Sequence, residues 1–296
     1  MKKISAVAAF AAALLLAAGA HAQITKDTIK IGVLADMSSL YADLGGPGSL
    51  MAAKMAVEDF GGTLNGKKIE VVGADHQNKP DIGAQIARQW FDQDGVDMIT
   101  DLTTSSVALA VQEVARKENK VILITTAASS DLTGKACAPT SVHWTYDTTA
   151  LANGTGAAVV KAGGDTWFFI TADYAFGHSL QNDTAAVVKA NGGKVLGSVN
   201  VPLNNADFSS YLLQAQASKA KVIGLANAGG DTINSIKQAP SSASSRAGRS
   251  SPAFWSSPAT CTASASKRLK ACSSPNRSIG IRTTRPAPGR RSSSTA

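Results

Sequence analysis

The sequence predicts an α/β protein whose strands pair in parallel and alternate with helices. Between residues 27 and 239, short segments rich in Val and Ile alternate with longer segments of helical periodicity. Strands separated by helices of this length indicate a parallel sheet with right-handed crossovers. Cys137 is the one cysteine in that stretch, so no internal disulfide can form there and the fold must rest on a hydrophobic core.

The order of the elements follows from this alternation. The predicted strands are Thr28–Ala35, Lys68–Asp75, Asp97–Asp101, Val121–Thr125, Thr166–Thr171, Lys194–Val201 and Lys221–Ala226. The predicted helices are Ser49–Phe60, Asp81–Gln93 with Asp81 as N-cap, Ser106–Glu118, Thr149–Lys161, Ser179–Ala190 and Phe208–Ala217.

A segment without either period divides the chain. Residues 126–148 contain Gly134 and Pro139, and we expect them to separate a first lobe, residues 23–143, from a second lobe, residues 144–239. Three tryptophans lie in or beside apolar stretches and are predicted to be core residues: Trp90, Trp144 and Trp167.

The first residues have the pattern of a secretory signal peptide. Lys2 and Lys3 precede an apolar run that ends at Ala18, and small residues at positions 20 and 22 form a cleavage site. The run is shorter than the ~20 residues that span a bilayer. We therefore expect cleavage near Ala22 and a periplasmic mature protein.

The net charge of +8 comes from one end of the chain. Residues 240–296 hold ten of the 29 Lys and Arg residues and none of the 21 Asp and Glu residues. Without that segment the charge is 19 − 21 = −2, and without Lys2 and Lys3 it is −4. The remaining chain is mildly acidic, so its charge gives no reason to expect a nucleic-acid partner.

The same C-terminal segment differs from the rest in composition. Serine accounts for 16 of its 57 residues, and no apolar period of 2 or 3.6 persists. One interpretation is a disordered basic tail. The other is a shifted reading frame: codons for residues 240–257 can be chosen so that a one-base shift gives AEFGIVKGGPVIAGLLVF, which has a Gly-rich turn and an apolar strand. The sequence favours a frameshift near residue 239.

Catalytic patterns are absent from the sequence. The glycines at 45, 46 and 48 form neither GxGxxG nor a P-loop, and there is no GxSxG, HExxH or metal-spaced cysteine pair. His76, His143 and His178 are isolated. We therefore predict a protein that is not an enzyme and has no cofactor or metal.

The loops that follow the strands carry the candidate binding residues, because ligands of open α/β sheets bind beyond the carboxyl ends of the strands. Ser39 and Tyr41 follow the first strand. Ser105 and Ser106 open a helix, where free N–H groups and the positive end of the helix dipole suit a carboxylate, although capping is the simpler role.

Further candidates follow the later strands. Ser129 belongs to a second loop of small and hydroxylic residues, and Phe176 offers an aromatic wall from the second lobe. Asp231 is open to two interpretations: it faces a ligand cation, or it caps the next helix.

Four segments resemble the leucine/isoleucine/valine-type periplasmic binding proteins of ABC importers. They are IKIGVLADMSSLYADLGGPGSLMAAKMAVEDFGG, ITTAASSDLTG, VHWTYDTTALANG and ITADYAFGHSL, and the likeness covers about residues 27–239. The resemblance implies a type I fold, in which two Rossmann-like lobes close on a ligand about a hinge. It also implies delivery of that ligand to an ABC transporter permease.

Carried over by position, the resemblance places Ser105, Ala127 and Ser129 at the ligand, with Phe176 and Ala228 from the second lobe. It implies a small carboxylate-bearing ligand such as a branched-chain amino acid. Relatives often have an aromatic residue where this chain has Ala228, so amides and aromatic acids stay open as ligands. A ligand-sensing receptor of the same fold and a non-functional truncated product are the alternatives.

Overall fold

The computed structural model describes residues 26–243 and 253–256. The predicted signal peptide, residues 1–22, and most of the segment 240–296 lie outside those residues. Within the described residues, no helix is both long and apolar enough to cross a membrane.

The described residues form two sheets. The first has six strands in the order β2-β3-β1-β4-β5-β6, and the second has four in the order β10-β9-β7-β8. All pairs are parallel except the hairpin of β2 and β3. The strands are β1 Thr28–Ala35, β2 Thr63–Leu64, β3 Lys67–Asp75, β4 Met98–Asp101, β5 Val121–Ile124, β6 Ser141–His143, β7 Thr166–Ala172, β8 Lys194–Val201, β9 Val222–Ala226 and β10 Ala253–Ser256.

Seven α-helices connect these strands in the described residues. A π-helical turn, Trp90–Asp94, extends α2, and a short 3-10 helix, Ser130–Leu132, follows β5. We call the residues of the six-stranded sheet and its helices, up to His143, the first lobe, and those from Trp144 onward the second lobe. The α-helices are α1 Gly46–Asp59, α2 Pro80–Gln89, α3 Ser105–Lys117, α4 Thr148–Lys161, α5 Ala175–Ala190, α6 Ser209–Ala217 and α7 Gly229–Ala243.

The two lobes differ in how their sheets are covered. The second lobe has buried apolar clusters that include Trp167 and Phe169 in one case and Phe168 and Ile170 in the other, so alternate residues of β7 enter opposite faces. In the described residues, the first lobe has one such cluster, which packs α2 and α3 against its sheet.

Helix α1 lies on the other face of the first sheet. A Cβ built on Gly32 would meet the Trp90 ring of the α2 side, whereas one built on Gly73, which pairs with Val33, would meet Leu50 of α1. Successive residues of a strand point to opposite faces, so the two contacts lie on opposite sides of the sheet. Most of α1 is nevertheless exposed to solvent, and Gly46 is its one buried residue.

Several predicted elements need correction. Helix α1 begins at Gly46 instead of Ser49, so Gly46, Pro47 and Gly48 form its first turn. Asp81 is not an N-cap, because α2 begins at Pro80 and Asp81 lies in its first turn. Residues 126–148 contain β6 as well as the 3-10 helix, since three residues are too few to show a period.

One core prediction is wrong. Trp90 and Trp167 are buried, but the side chain of Trp144 is 75% exposed. Trp144 directly follows β6, which among the described residues is the last strand on its edge of the first sheet, so no described strand covers it.

Candidate ligand-binding site

A cavity of about 130 Å³ lies between the two lobes. The first lobe contributes residues that follow β1, β4 and β5, and the second lobe contributes residues that follow β6, β7 and β9, so the cavity lies beyond the carboxyl ends of both sheets. Its volume is close to the ~150 Å³ of an engineered apolar cavity that takes up one benzene molecule. The cavity lining consists of Tyr41, Leu44, Thr103, Ser105, Thr126, Ala128, Tyr146, Tyr174, Phe176 and Ala228.

Four of the eight predicted site residues line this cavity: Tyr41, Ser105, Phe176 and Ala228. The structure places the other four behind or beside the lining. The Ser39 hydroxyl donates to Asp36 Oδ2 at 2.6 Å, the Ala127 carbonyl lies 2.7 Å from His143 Nε2, and Ser106 is half-buried. The hydroxyls of Ser129 and Ser179 share a hydrogen bond of 2.7 Å between the lobes.

Six of the residues that line the cavity were not predicted from the sequence as ligand contacts. Tyr174 is the N-cap residue of α5, two residues after β7, and Thr103 and Thr126 lie in the two hydroxylic loops, so their positions after strands were a usable signal. Tyr146 carries no such signal because the strand that it follows, β6, was not predicted from the sequence, and Leu44 is an apolar residue near the end of a long loop after β1. Ala128 is the sixth.

Helix α3 presents its N-terminus to the cavity. Its N-cap residue Thr104 makes no side-chain cap and instead donates its hydroxyl hydrogen to Asn78 Oδ1 at 2.7 Å. The first N–H groups of the helix are therefore left for a ligand, and a negatively charged group is favoured there.

The Ser105 hydroxyl has a defined hydrogen-bonding role. Its Oγ accepts the N–H groups of Ala128 and Ser129 at 3.3 and 3.1 Å. A serine hydroxyl has one hydrogen and two acceptor positions, so the hydrogen of Ser105, which has no acceptor among the described residues, can be donated. This donor lies at the start of α3, where it suits a carboxylate oxygen.

The aromatic residues of the cavity join the lobes. Tyr41 donates its hydroxyl hydrogen to Tyr174 Oη at 2.9 Å, and their rings stack with centroids 6.1 Å apart. Burial raises the pKa of both phenols, so both are protonated at neutral pH. Phe176 extends this aromatic wall, with its centroid 5.9 Å from that of Tyr174.

Asp231 is not the N-cap of α7, because that helix begins at Gly229. It is buried in the first turn of α7, and its carboxylate accepts the N–H groups of Asn204 and Asn205 at 3.2 and 3.1 Å. It therefore ties the loop after β8 to α7. Burial raises its pKa to about 6.

His76 is a second buried group with a shifted pKa. Its Nδ1 accepts the N–H of Asn78 at 3.0 Å, and its Nε2 is buried without a hydrogen-bond partner in the described residues. Burial lowers the pKa to about 4, although the carboxylates of Asp36 and Asp75 oppose that shift.

The pKa shifts of His76 and Asp231 predict opposite effects of acid on the stability of the folded protein. Unfolded His76 takes up a proton near pH 6.5 and folded His76 near pH 4, so acidification over that range removes about 3 kcal/mol of stability. Asp231 has a folded pKa near 6 and an unfolded pKa near 3.8, so acidification over that range adds about 3 kcal/mol. We expect urea unfolding at pH 6.5 and pH 4 to separate the two effects. The free energy of unfolding should rise on acidification in His76→Gln, which keeps only the Asp231 effect. It should fall in Asp231→Asn, which keeps only the His76 effect. Identical pH slopes in both variants would contradict the prediction.

The described residues contain no group of three His, Cys, Asp or Glu side chains that could hold a metal ion.

The chain matches the model of one family, described as "Periplasmic binding protein", over residues 28–250. The chain belongs to the periplasmic binding protein family. The fold agrees with this membership, since its parallel sheets and α/β alternation are those of type I periplasmic binding proteins.

Solved structures of periplasmic binding proteins resemble the chain closely. One from Burkholderia mallei is 60% identical, with a TM-score of 0.72, over 73% of this chain and 57% of that one. A branched chain amino acid ABC transporter periplasmic ligand-binding protein from Burkholderia xenovorans is 40% identical, with a TM-score of 0.61, over 72% of this chain and 57% of that one. A third, from Rhodopseudomonas palustris in complex with 3,4-dihydroxy benzoic acid, is 25% identical, with a TM-score of 0.65, over 74% and 60%.

Among curated proteins, the chain is 25% identical to Leu/Ile/Val-binding protein homolog 6 of Brucella abortus over 222 residues. That match covers 75% of this chain and 55% of the relative. The chain therefore spans about half the length of the curated relatives that it matches.

Proposed function

We propose that this protein is the periplasmic solute-binding component of an ABC importer and that it binds a small carboxylate-bearing ligand by closure of its two lobes. The observation that carries the proposal is the interlobe cavity, which has hydroxyl donors and a helix N-terminus on one side and aromatic rings on the other. In this proposal the first residues direct export and the permease recognises the closed form.

The cavity lining supports an apolar monocarboxylate. The lining residues that the structure describes include no Lys, Arg, His, Asp or Glu, so the carboxylate must be held by neutral donors and by the dipole of α3. The aromatic wall suits a branched aliphatic chain or a single aromatic ring. Both classes occur among the relatives, since one is a branched chain amino acid ABC transporter periplasmic ligand-binding protein and another is in complex with 3,4-dihydroxy benzoic acid.

Ser105 provides a direct test of this proposal. Ser105→Ala removes the free donor at the start of α3, whereas Ser106→Ala removes a neighbouring hydroxyl outside the cavity lining. Isothermal titration with leucine, valine, benzoate and 3,4-dihydroxybenzoate should identify at least one ligand. We expect its affinity to fall about 10- to 100-fold in Ser105→Ala, the effect of a lost hydrogen bond to a charged group, and less than about twofold in Ser106→Ala.

The same experiment can exclude the proposal. If none of the four carboxylates binds, or if the two serine variants lose affinity equally, the cavity does not hold a carboxylate at α3. Thermal unfolding of both unliganded variants serves as the control, because Ser105→Ala also leaves two backbone N–H groups without an acceptor.

We also propose that residues 240–296 are an out-of-frame product. The part of the chain before them would then form two lobes, residues 23–143 and 144–239. Two observations support this. The segment has no acidic residue, and the first lobe has an apolar core on one face of its sheet in the described residues. Sequencing codons 235–245 of the gene tests it directly: the proposal fails if no one-base shift opens a long frame.

A further inference from the structure

Behind the hydroxyl side of the cavity lies a buried carboxylate, that of Asp101, which is 1% exposed. Asp101 ends β4, and its backbone φ of 80° and that of Leu102, 61°, are both in the left-handed region. Such angles are costly in residues other than glycine and persist where surrounding contacts hold them. Here the Leu102 N–H donates to the Leu34 carbonyl at 3.0 Å, and the Asp101 carbonyl accepts from Thr125 at 3.2 Å.

Asp101 sets the orientation of a hydroxyl that lines the cavity. The Thr126 hydroxyl donates its hydrogen to Asp101 Oδ1. A threonine hydroxyl has a single hydrogen, so the remaining hydrogen-bonding capacity of Thr126 is that of an acceptor. Thr126 therefore differs from Ser105, whose hydroxyl hydrogen is free.

The second carboxylate oxygen of Asp101 strengthens this difference between Thr126 as an acceptor and Ser105 as a donor. Oδ2 is buried without a hydrogen bond of acceptable geometry in the described residues, and the nearby Ser49 hydroxyl offsets only part of the cost of burial. A negative charge behind Thr126 makes the Thr126 oxygen a better acceptor. It also favours a ligand group with partial or full positive charge on its hydrogen.

From this arrangement we propose that Asp101 is a positioning residue that selects ligands carrying a hydrogen-bond donor, a hydroxyl or an ammonium group, in addition to the carboxylate. The inference rests on the proposed function. The carboxylate would bind at Ser105 and α3, and the donor would face Thr126. A ligand without the donor would leave the Thr126 oxygen buried without a partner, and such losses are costly.

Two pairs of probes test the selection and separate its sources. Leucine and 4-methylpentanoate differ by the ammonium group, and 4-hydroxybenzoate and benzoate differ by the phenol. We expect the donor-bearing member of at least one pair to bind about tenfold or more tightly, and the pair that responds identifies the donor as ammonium or hydroxyl. Equal affinities within both pairs would overturn the inference while leaving the proposed function intact.

Variants then assign the effect to Asp101 and Thr126. Asp101→Asn and Thr126→Val should lower the affinity of the donor-bearing probe about tenfold and leave that of its partner within about threefold, so the ratio collapses. Thr126→Ser, which keeps the hydroxyl, should restore the ratio. If Asp101→Asn weakens both members of a pair equally, its role is structural and the inference is wrong. If no probe binds, the proposed function fails and this inference fails with it.

Discussion

If residues 240–296 are out of frame, as proposed above, restoring the frame after Ala239 is expected to raise the thermal midpoint by about 10 °C and to produce a single cooperative transition. Large apolar side chains of α1 and of its C-cap residue are exposed: Met51 at 59%, Met55 at 55% and Phe60 at 62%. Covering three such half-exposed side chains contributes about 3 kcal/mol in total. In a chain of this size that corresponds to roughly 6 to 12 °C.

The expectation depends on what covers α1. The chain spans 57% of a solved protein to which it is 60% identical. That relative therefore has further residues, which could pack on the surface that is exposed on α1 here. We expect the in-frame segment to do so. Differential scanning calorimetry of the present and restored chains measures the effect.

Substitutions on α1 supply the matched control. Met51→Gln and Met55→Gln should change the stability of the present chain by less than about 0.5 kcal/mol, because both side chains are already exposed. In the restored chain the same changes should cost about 1 kcal/mol or more each. Equal effects in the two chains would show that the restored segment does not cover α1.

Gly177→Ala is expected to destabilise the second lobe by about 3 kcal/mol or more. A Cβ at Gly177 would lie 2.0 Å from the carbonyl oxygen of Ala172 and 3.0 Å from that of Ala226. Both atoms belong to backbone at the ends of strands, so neither can move aside as a side chain would. Overpacking usually costs 1–3 kcal/mol, and contact with fixed backbone places this site at or above that range.

Gly154→Ala is the matched control for this prediction. Gly154 also lies within a helix, and a Cβ there would meet nothing within 4 Å. Alanine is preferred over glycine in a helix by about 1 kcal/mol, so this variant should be slightly more stable. Urea unfolding of the two variants gives the comparison, and a Gly177→Ala midpoint equal to that of the starting protein would refute the clash.

The Gly177 variant should also affect the candidate ligand site. Phe176, its neighbour in the chain, lines the interlobe cavity, so displacement of the first turn of α5 moves the aromatic wall. A ligand found by titration should therefore bind Gly177→Ala more weakly and Gly154→Ala unchanged.

Much of the fold follows from local pattern alone. β1 and β8 match the predicted strands at both ends, and the other predicted strands differ from the observed ones by one residue at an end, because alternating apolar segments bounded by polar residues determine strands locally. The π-helical turn at Trp90 and the strand β6 have no such local signal. The first depends on the packing of Trp90 into the core, and the second on pairing with β5.

The candidate site divides in the same way. Tyr41, Ser105 and Phe176 could be predicted because each follows a strand, either in the loop or in the first turn of the next helix, and such segments meet at one edge of a sheet. Tyr146 and Leu44 could not, since the approach of the two lobes brings them to the cavity. The direction of the Thr126 hydrogen bond also depends on the fold, because its acceptor, Asp101, is 25 residues away in the chain.

The sequence by itself determined the α/β class, the order of the strands along the chain, most of the segments that line the interlobe cavity and the compositional break after residue 239. These properties reside in short stretches of chain, where period, charge and turn residues act locally. The tertiary structure alone decided which hydroxyls donate and which accept, how exposed helix α1 is on its face of the first sheet, and which glycine cannot become alanine. Each of these depends on atoms that are distant along the chain and meet only when the sheets and helices have packed.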